Sequence, residues 1–117
     1  MKEYTSLGLM SGTSGDGVDA SIIVSDGHSK YEAIKDKYYE YDNEIYENFH
    51  KLKELINNTQ DLKNHNQRLK NLERQITIFN AKVINDLSKN NRFELVGFHG
   101  QTILHNPAEK ISKQLGD

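Results

Sequence analysis

The segment Ser11-Gly12-Thr13-Ser14-Gly15-Asp16-Gly17 constrains this chain more than any other, because small hydroxyl residues and glycines interrupt two apolar runs as only a tight turn does. Before it, Tyr4 to Met10 is short and largely apolar. After it, Val18, Ala20, Ile22 and Val24 alternate with Asp19, Ser21 and Ile23, a strand pattern of period two. A glycine-rich segment between two strands excludes a dinucleotide fingerprint, in which a helix must begin directly after the glycines. The lack of a Gly-Lys-Ser/Thr ending excludes a P-loop. What remains is a hairpin tip dense in backbone N–H groups, a geometry that forms concave anion sites suited to phosphate oxygens. Thr13 and Ser14 add hydroxyls, and Asp16 and Asp19 add hard oxygen ligands able to hold Mg²⁺ directly or through water. On the residues alone, an ordinary hairpin turn competes with this reading.

The rest of the chain reads as a mixed α/β domain. Asp26-Gly27 marks a second turn, and Tyr31 to Tyr41, with Tyr38 and Tyr39, is a third strand. The period then changes. Asp42 or Asn43 can cap a helix carrying Ile45, Phe49, Leu52 and Ile56 on one face. Asn57-Asn58-Thr59 breaks it, and a longer helix is expected from Asp61 to Lys89, with Leu62, Leu69, Leu72, Ile76, Phe79, Val83 and Leu87 in one stripe. That spacing fits a heptad seam, but strands on either side call for an amphipathic helix laid on a sheet. Asn90-Asn91 ends the helix, and Phe93 to Phe98 reads as a short buried strand. The tail from Ala108 to Asp117 has no clear period. The expected order is β-β-β-α-α-β, the opening of a ribonuclease-H-like unit.

At 117 residues the chain is one domain, spanning 1–117. Its 15 cationic and 17 anionic residues are interleaved to a net charge of -2, which leaves no nucleic-acid footprint. Cysteine is absent, excluding disulfides and thiolate metal sites. No run reaches the length of a membrane span, and the N-terminus lacks a signal-peptide pattern. A soluble cytoplasmic protein is expected. A second polar cluster, His99-Gly100-Gln101-Thr102, follows the last strand, a position where α/β sheets bind ligands. Gln101 and Thr102 can hydrogen-bond a polyhydroxylated ligand, and Gly100 permits close backbone approach. His99 and His105 are not at a helical metal spacing, and His28, His50 and His65 read as surface residues.

Together the two clusters resemble the anhydro-N-acetylmuramic acid kinase family. Leu9-Met10-Ser11-Gly12-Thr13-Ser14 with Asp16-Gly17-Val18-Asp19 is similar to the family's opening motif. Gly97-Phe98-His99-Gly100-Gln101-Thr102-Ile103, with His105 and Pro107, is similar to its next one, and Gln114-Leu115-Gly116-Asp117 to a further segment. The resemblance implies an actin-like sugar kinase of two ribonuclease-H-like lobes, homodimeric, using ATP and Mg²⁺. It implies hydrolysis of the 1,6-anhydro ring of anhydro-N-acetylmuramic acid and phosphorylation to N-acetylmuramic acid 6-phosphate, a step of cell-wall sugar recycling. Gly12, Thr13, Ser14, Gly15, Asp16, Gly17, Val18 and Asp19 would hold the ATP phosphates, with Asp16 reaching Mg²⁺ through water. His99, Gly100, Gln101 and Thr102 would lie near the sugar.

Two departures qualify the resemblance. Where the family usually has leucine, this chain has Gly15, which removes an apolar anchor and is expected to weaken phosphate binding by about 1 kcal/mol through a freer backbone. Family members are also roughly three times longer. Their catalytic aspartate, in an Asp-Thr-Gly-Pro-Gly-Asn stretch, and their second glycine-rich region have no counterpart in these residues. The expectation is a truncated form, inactive alone because phosphoryl transfer needs several positioned parts. The alternative is a non-catalytic remnant that binds nucleotide or a partner.

Overall fold

Alternation along the first two strands builds a sheet with one apolar face, and the helical stripes supply its cover. The computed structural model describes residues 3–12, 14–26, 31–106 and 111–116. Thr13, Gly27, His28, Pro107 and Asp117, all invoked above, lie outside the described residues.

Strand β1 (Tyr4–Met10) pairs antiparallel with β2 (Gly17–Ser25), which pairs antiparallel with β3 (Tyr31–Glu40). Three helices follow, α1 (Asn43–Leu55), α2 (Thr59–Asn64) and α3 (Asn66–Ser88). Then come β4 (Leu95–Phe98), β5 (Gln101–Asn106) and β6 (Ile111–Leu115). The main sheet has the order β3-β2-β1-β4, with β4 parallel to β1, and β5 and β6 form a separate antiparallel pair.

Helix α1 begins where the Asp42 carboxylate accepts the Ile45 amide hydrogen at 2.9 Å, satisfying one donor that the helix itself leaves open. Ile45, Phe49 and Leu52 then face inward, as their spacing dictates. On α3 the buried residues include Leu69, Leu72, Ile76, Val83 and Leu87. These two stripes close over Leu7, Leu9, Val18, Ala20 and Ile22 of the sheet as one core. The helix stripe therefore packs on a sheet rather than forming a coiled-coil seam. Across the edge of this layer, Tyr39 donates to Asp86 at 2.6 Å and Lys37 lies 3.4 Å from the same carboxylate, tying β3 to α3.

Three features depart from the sequence reading. The second helix is interrupted at His65, whose backbone leaves the helical region (φ -111°, ψ 22°), within an Asn64-His65-Asn66 run of weak helix formers. Strand β4 is not buried: Leu95, Val96 and Phe98 are exposed, because among the described residues it pairs only with β1. Beyond the single strand expected after the helices, the chain forms β5 and, in the aperiodic tail, β6, which hold each other without a hydrophobic alternation in β6, so the order is β-β-β-α-α-α-β-β-β rather than β-β-β-α-α-β.

Candidate functional site

Parallel pairing of β1 and β4 brings the two polar clusters to one place. Their register aligns Leu9 with Phe98, and the His99 amide donates to the Leu9 carbonyl at 3.3 Å. Ser11 and His99 thus leave adjacent strands in the same direction, at the carboxyl ends where α/β sheets bind ligands.

The first cluster divides by role. Gly12, Ser14 and Asp16 are exposed at the hairpin tip. Gly17, Val18 and Asp19 already belong to β2, and Val18 is fully buried, so its side chain anchors the loop in the core rather than facing a ligand. Asp19 is exposed. Gly17 is required by crowding, since a Cβ there would lie 2.3 Å from the Tyr39 carbonyl and 2.7 Å from the Tyr38 hydroxyl.

Gly15 does not loosen the loop. It is buried, adopts φ +69°, and donates its amide to the Gly12 carbonyl at 3.2 Å. A Cβ at this position would fall 2.3 Å from Cε1 of Phe49, a ring with no exposed surface. Phe49 therefore occupies the space in which an anchoring side chain at position 15 would sit, and the backbone is packed rather than freed. His50 lies beside it and is no simple surface residue: its ring leans on Tyr46 and Phe49, and Nε2 is buried without a partner among the described residues.

The second cluster also divides. His99 is exposed, whereas Gly100 is buried at φ +84° against the Leu115 carbonyl, which a Cβ would approach to 2.7 Å. Thr102 is half-buried and lies 3.4 Å from the Gln114 amide nitrogen. Gln101 is completely buried, and both ends of its side-chain amide are engaged. Its Nε2 donates to the Gly12 carbonyl at 2.7 Å, and its Oε1 accepts from the Tyr41 hydroxyl at 3.1 Å. Tyr41 in turn lies 3.0 Å from the Ser11 hydroxyl, and its backbone amide donates to the Asp16 carbonyl at 2.9 Å. Burial pushes the Tyr41 hydroxyl pKa up, so it stays a neutral donor. Neither Tyr41 nor this use of Gln101 has a sequence signature, because the contacts span 60 and 89 residues.

The loop's electrostatics are acidic. The Tyr38 hydroxyl beside it is held above its usual pKa by desolvation, then by Asp16, Glu40 and Asp19. No Lys or Arg occurs from Ser11 to Asp19. No group of three or more His, Asp or Glu side chains able to hold a metal occurs among the described residues. Among them, no helix is long and apolar enough to cross a membrane.

The sequence matches the family described as anhydro-N-acetylmuramic acid kinase over residues 4–117. It is 58% identical over 118 residues to the anhydro-N-acetylmuramic acid kinase of Pelagibacter ubique (strain HTCC1062), covering 99% of this chain and 32% of that protein. The corresponding proteins of Agrobacterium fabrum (strain C58 / ATCC 33970) and Rhodopseudomonas palustris (strain ATCC BAA-98 / CGA009) are 32% and 37% identical, each covering 97% of this chain and 32% of the relative. The chain spans about a third of the length of the curated relatives it matches. It belongs to the anhydro-N-acetylmuramic acid kinase family.

Proposed function

We propose that this chain is the phosphate-loop portion of an ATP-dependent kinase acting on anhydro-N-acetylmuramic acid, within a ribonuclease-H-like fold of the actin and sugar-kinase type. The observation that carries the reading is the parallel β1–β4 pairing, which sets the Ser11–Asp19 loop beside His99 at one sheet edge. The strand order β3-β2-β1-β4 with a single parallel pair supports the fold assignment.

In this reading the backbone amides of Gly12, Ser14 and Asp16, with the Thr13 and Ser14 hydroxyls, would cradle the ATP phosphates, while the Gly15 amide stays on the Gly12 carbonyl and shapes the turn. Asp16 and Asp19, exposed oxygen donors on the same hairpin, are the residues that would hold a Mg²⁺ ion, a hard cation commonly bound through one or two carboxylates. Bound there, Mg²⁺ would supply positive charge, since Ser11 to Asp19 contains no Lys or Arg. His99, exposed beside the loop, would face the sugar, with Gly100 and Thr102 contributing from the same segment. The side chains of Val18 and Gln101 are buried and would support the site from the core. The aspartate stretch and the second glycine-rich region that the family resemblance calls for have no counterpart in these residues, so Gly12–Asp19 would bind and orient phosphate without completing the transfer. Localisation in the cytoplasm, where ATP is available, accords with this role.

The test is calorimetric titration of the 117-residue chain with Mg²⁺ and a non-hydrolysable ATP analogue, together with a phosphorylation assay on anhydro-N-acetylmuramic acid. Saturable, Mg²⁺-dependent binding that weakens in Asp16→Asn, with no turnover by the chain alone, is expected. Absence of nucleotide binding with Mg²⁺ present overturns the phosphate-loop reading, and turnover by the chain alone overturns the expectation that these residues do not complete the transfer.

A further inference from the structure

We infer that Tyr41 and Gln101 are the positioning residues of the phosphate loop, forming a buried one-way hydrogen-bond relay that decides which backbone groups the loop presents to a ligand. The inference rests on the phosphate-loop reading above and assigns to that site two residues that do not themselves touch the nucleotide.

The direction of the relay follows from its donors and acceptors. The Gly12 carbonyl can only accept, so the group facing it at 2.7 Å is the Gln101 NH₂. Gln101 Oε1 therefore faces Tyr41, and the Tyr41 hydroxyl must spend its single hydrogen on it. The Ser11 hydroxyl, 3.0 Å from the same oxygen, is then left to donate to Tyr41. The chain runs Ser11 to Tyr41 to Gln101 to Gly12, closing on the residue next to its start.

Its consequence lies in the carbonyls. Gly12 accepts from both Gln101 and the Gly15 amide, which uses both lone pairs of its oxygen. The Asp16 carbonyl is taken by the backbone amide of Tyr41. Two carbonyl dipoles whose negative ends would repel a phosphate are thus held against buried partners, Gln101 with no exposed surface and Tyr41 at 4%. Holding these two carbonyls inward removes two negative ends from the face that a phosphate would approach. The same contacts lock the loop to β5, joining segments 89 residues apart, and so fix its distance from His99.

Tyr41→Phe tests this most cleanly, since it deletes one hydroxyl and keeps the ring that packs edge-on against Phe79 at 5.0 Å. It leaves Gln101 Oε1 buried without that donor, and about a tenfold loss of affinity for the Mg²⁺–nucleotide analogue is expected from one unmade buried hydrogen bond. Ile76→Val, a core change in α3 that removes none of the relay's hydrogen bonds, is the control: it lowers the melting temperature but leaves affinity unchanged. Backbone NMR of the apo chain gives a ligand-free readout, in which Tyr41→Phe shifts the amides of Gly12, Ser14, Gly15 and Asp16 while those of α3 hold. Should Tyr41→Phe not fold, Ser11→Ala at the half-buried end of the relay is expected to shift the same amides less. Unshifted loop amides in the folded variants overturn the relay, as does equal loss of affinity in Ile76→Val. Failure of the parent chain to bind nucleotide overturns the phosphate-loop reading instead, while the apo spectra still decide the relay.

Discussion

Gly15→Ala should destabilise this protein markedly, although it adds a single methyl group to a surface hairpin. Two costs add. Position 15 sits at φ +69°, where an L side chain costs about 1–2 kcal/mol. The new Cβ would also lie 2.3 Å from Cε1 and 2.4 Å from Cδ1 of Phe49, and forcing extra volume into a packed site costs about 1–3 kcal/mol. Loss of glycine's freedom in the unfolded chain returns about 0.4–1 kcal/mol. The net is about 2–4 kcal/mol, which for a domain of this size lowers the melting temperature by roughly 10 °C. Thermal and urea denaturation of both proteins measures it directly. Because the clash is with one ring, Gly15→Ala combined with Phe49→Leu should recover about 1–2 kcal/mol relative to the sum of the single changes. A Gly15→Ala protein that melts within about 1 °C of the parent, or a pair that is strictly additive, refutes the packing of Phe49 beneath the loop.

Other expectations follow from single contacts. Asp42→Ala removes the cap of α1 and should cost about 1 kcal/mol in urea unfolding; an unchanged midpoint contradicts the cap. The Asp86 carboxyl is held below its ordinary value of 3.8 first by the Tyr39 hydroxyl and then by Lys37. A depressed folded pKa contributes stability that is present above the unfolded value and lost as pH falls through the folded one. Melting temperatures taken from about pH 5 down to about pH 2 should therefore fall less steeply in Asp86→Asn than in the parent, and identical profiles contradict the contact. Asn80 is buried in α3 with Nδ2 bonded to the Ile76 carbonyl and Oδ1 unpartnered among the described residues. Asn80→Ala removes that orphan acceptor and should be neutral or stabilising by up to about 1 kcal/mol; a clear loss of stability would show that Oδ1 has a partner in solution.

What local chemistry determines was legible in the sequence. Alternation at Val18, Ala20 and Ile22 and the spacing of Ile45, Phe49 and Leu52 placed a sheet face and its helix cover, and the two polar clusters were recognisable as one family's motifs. What depends on distant contacts was not. Strand β6 carries Ser112, Lys113 and Gln114 in its middle and exists because β5 pairs with it. The exposure of β4 depends on what lies beyond its free edge, not on the apolar character of Leu95 and Val96. Gln101 looked like a ligand-binding amide because its type and position allow that, and only the fold brings Tyr41 and the Gly12 carbonyl to its two ends. Gly15 looked like a lost anchor because Phe49, 34 positions away in the numbering, is the group that fills the space.

Gly12–Asp19 is proposed to hold the phosphates of a Mg²⁺–nucleotide beside the β4 edge. Titrating a non-hydrolysable ATP analogue with Mg²⁺ into the isotope-labelled chain and following every backbone amide tests it most directly. The largest saturable shifts should fall on Gly12 through Asp19 with His99 and Gly100, and should vanish when Mg²⁺ is chelated. Shifts confined elsewhere, as in the groove lined by Lys63, Lys70 and Lys113 between the helices and β6, or no shifts at all, would contradict it.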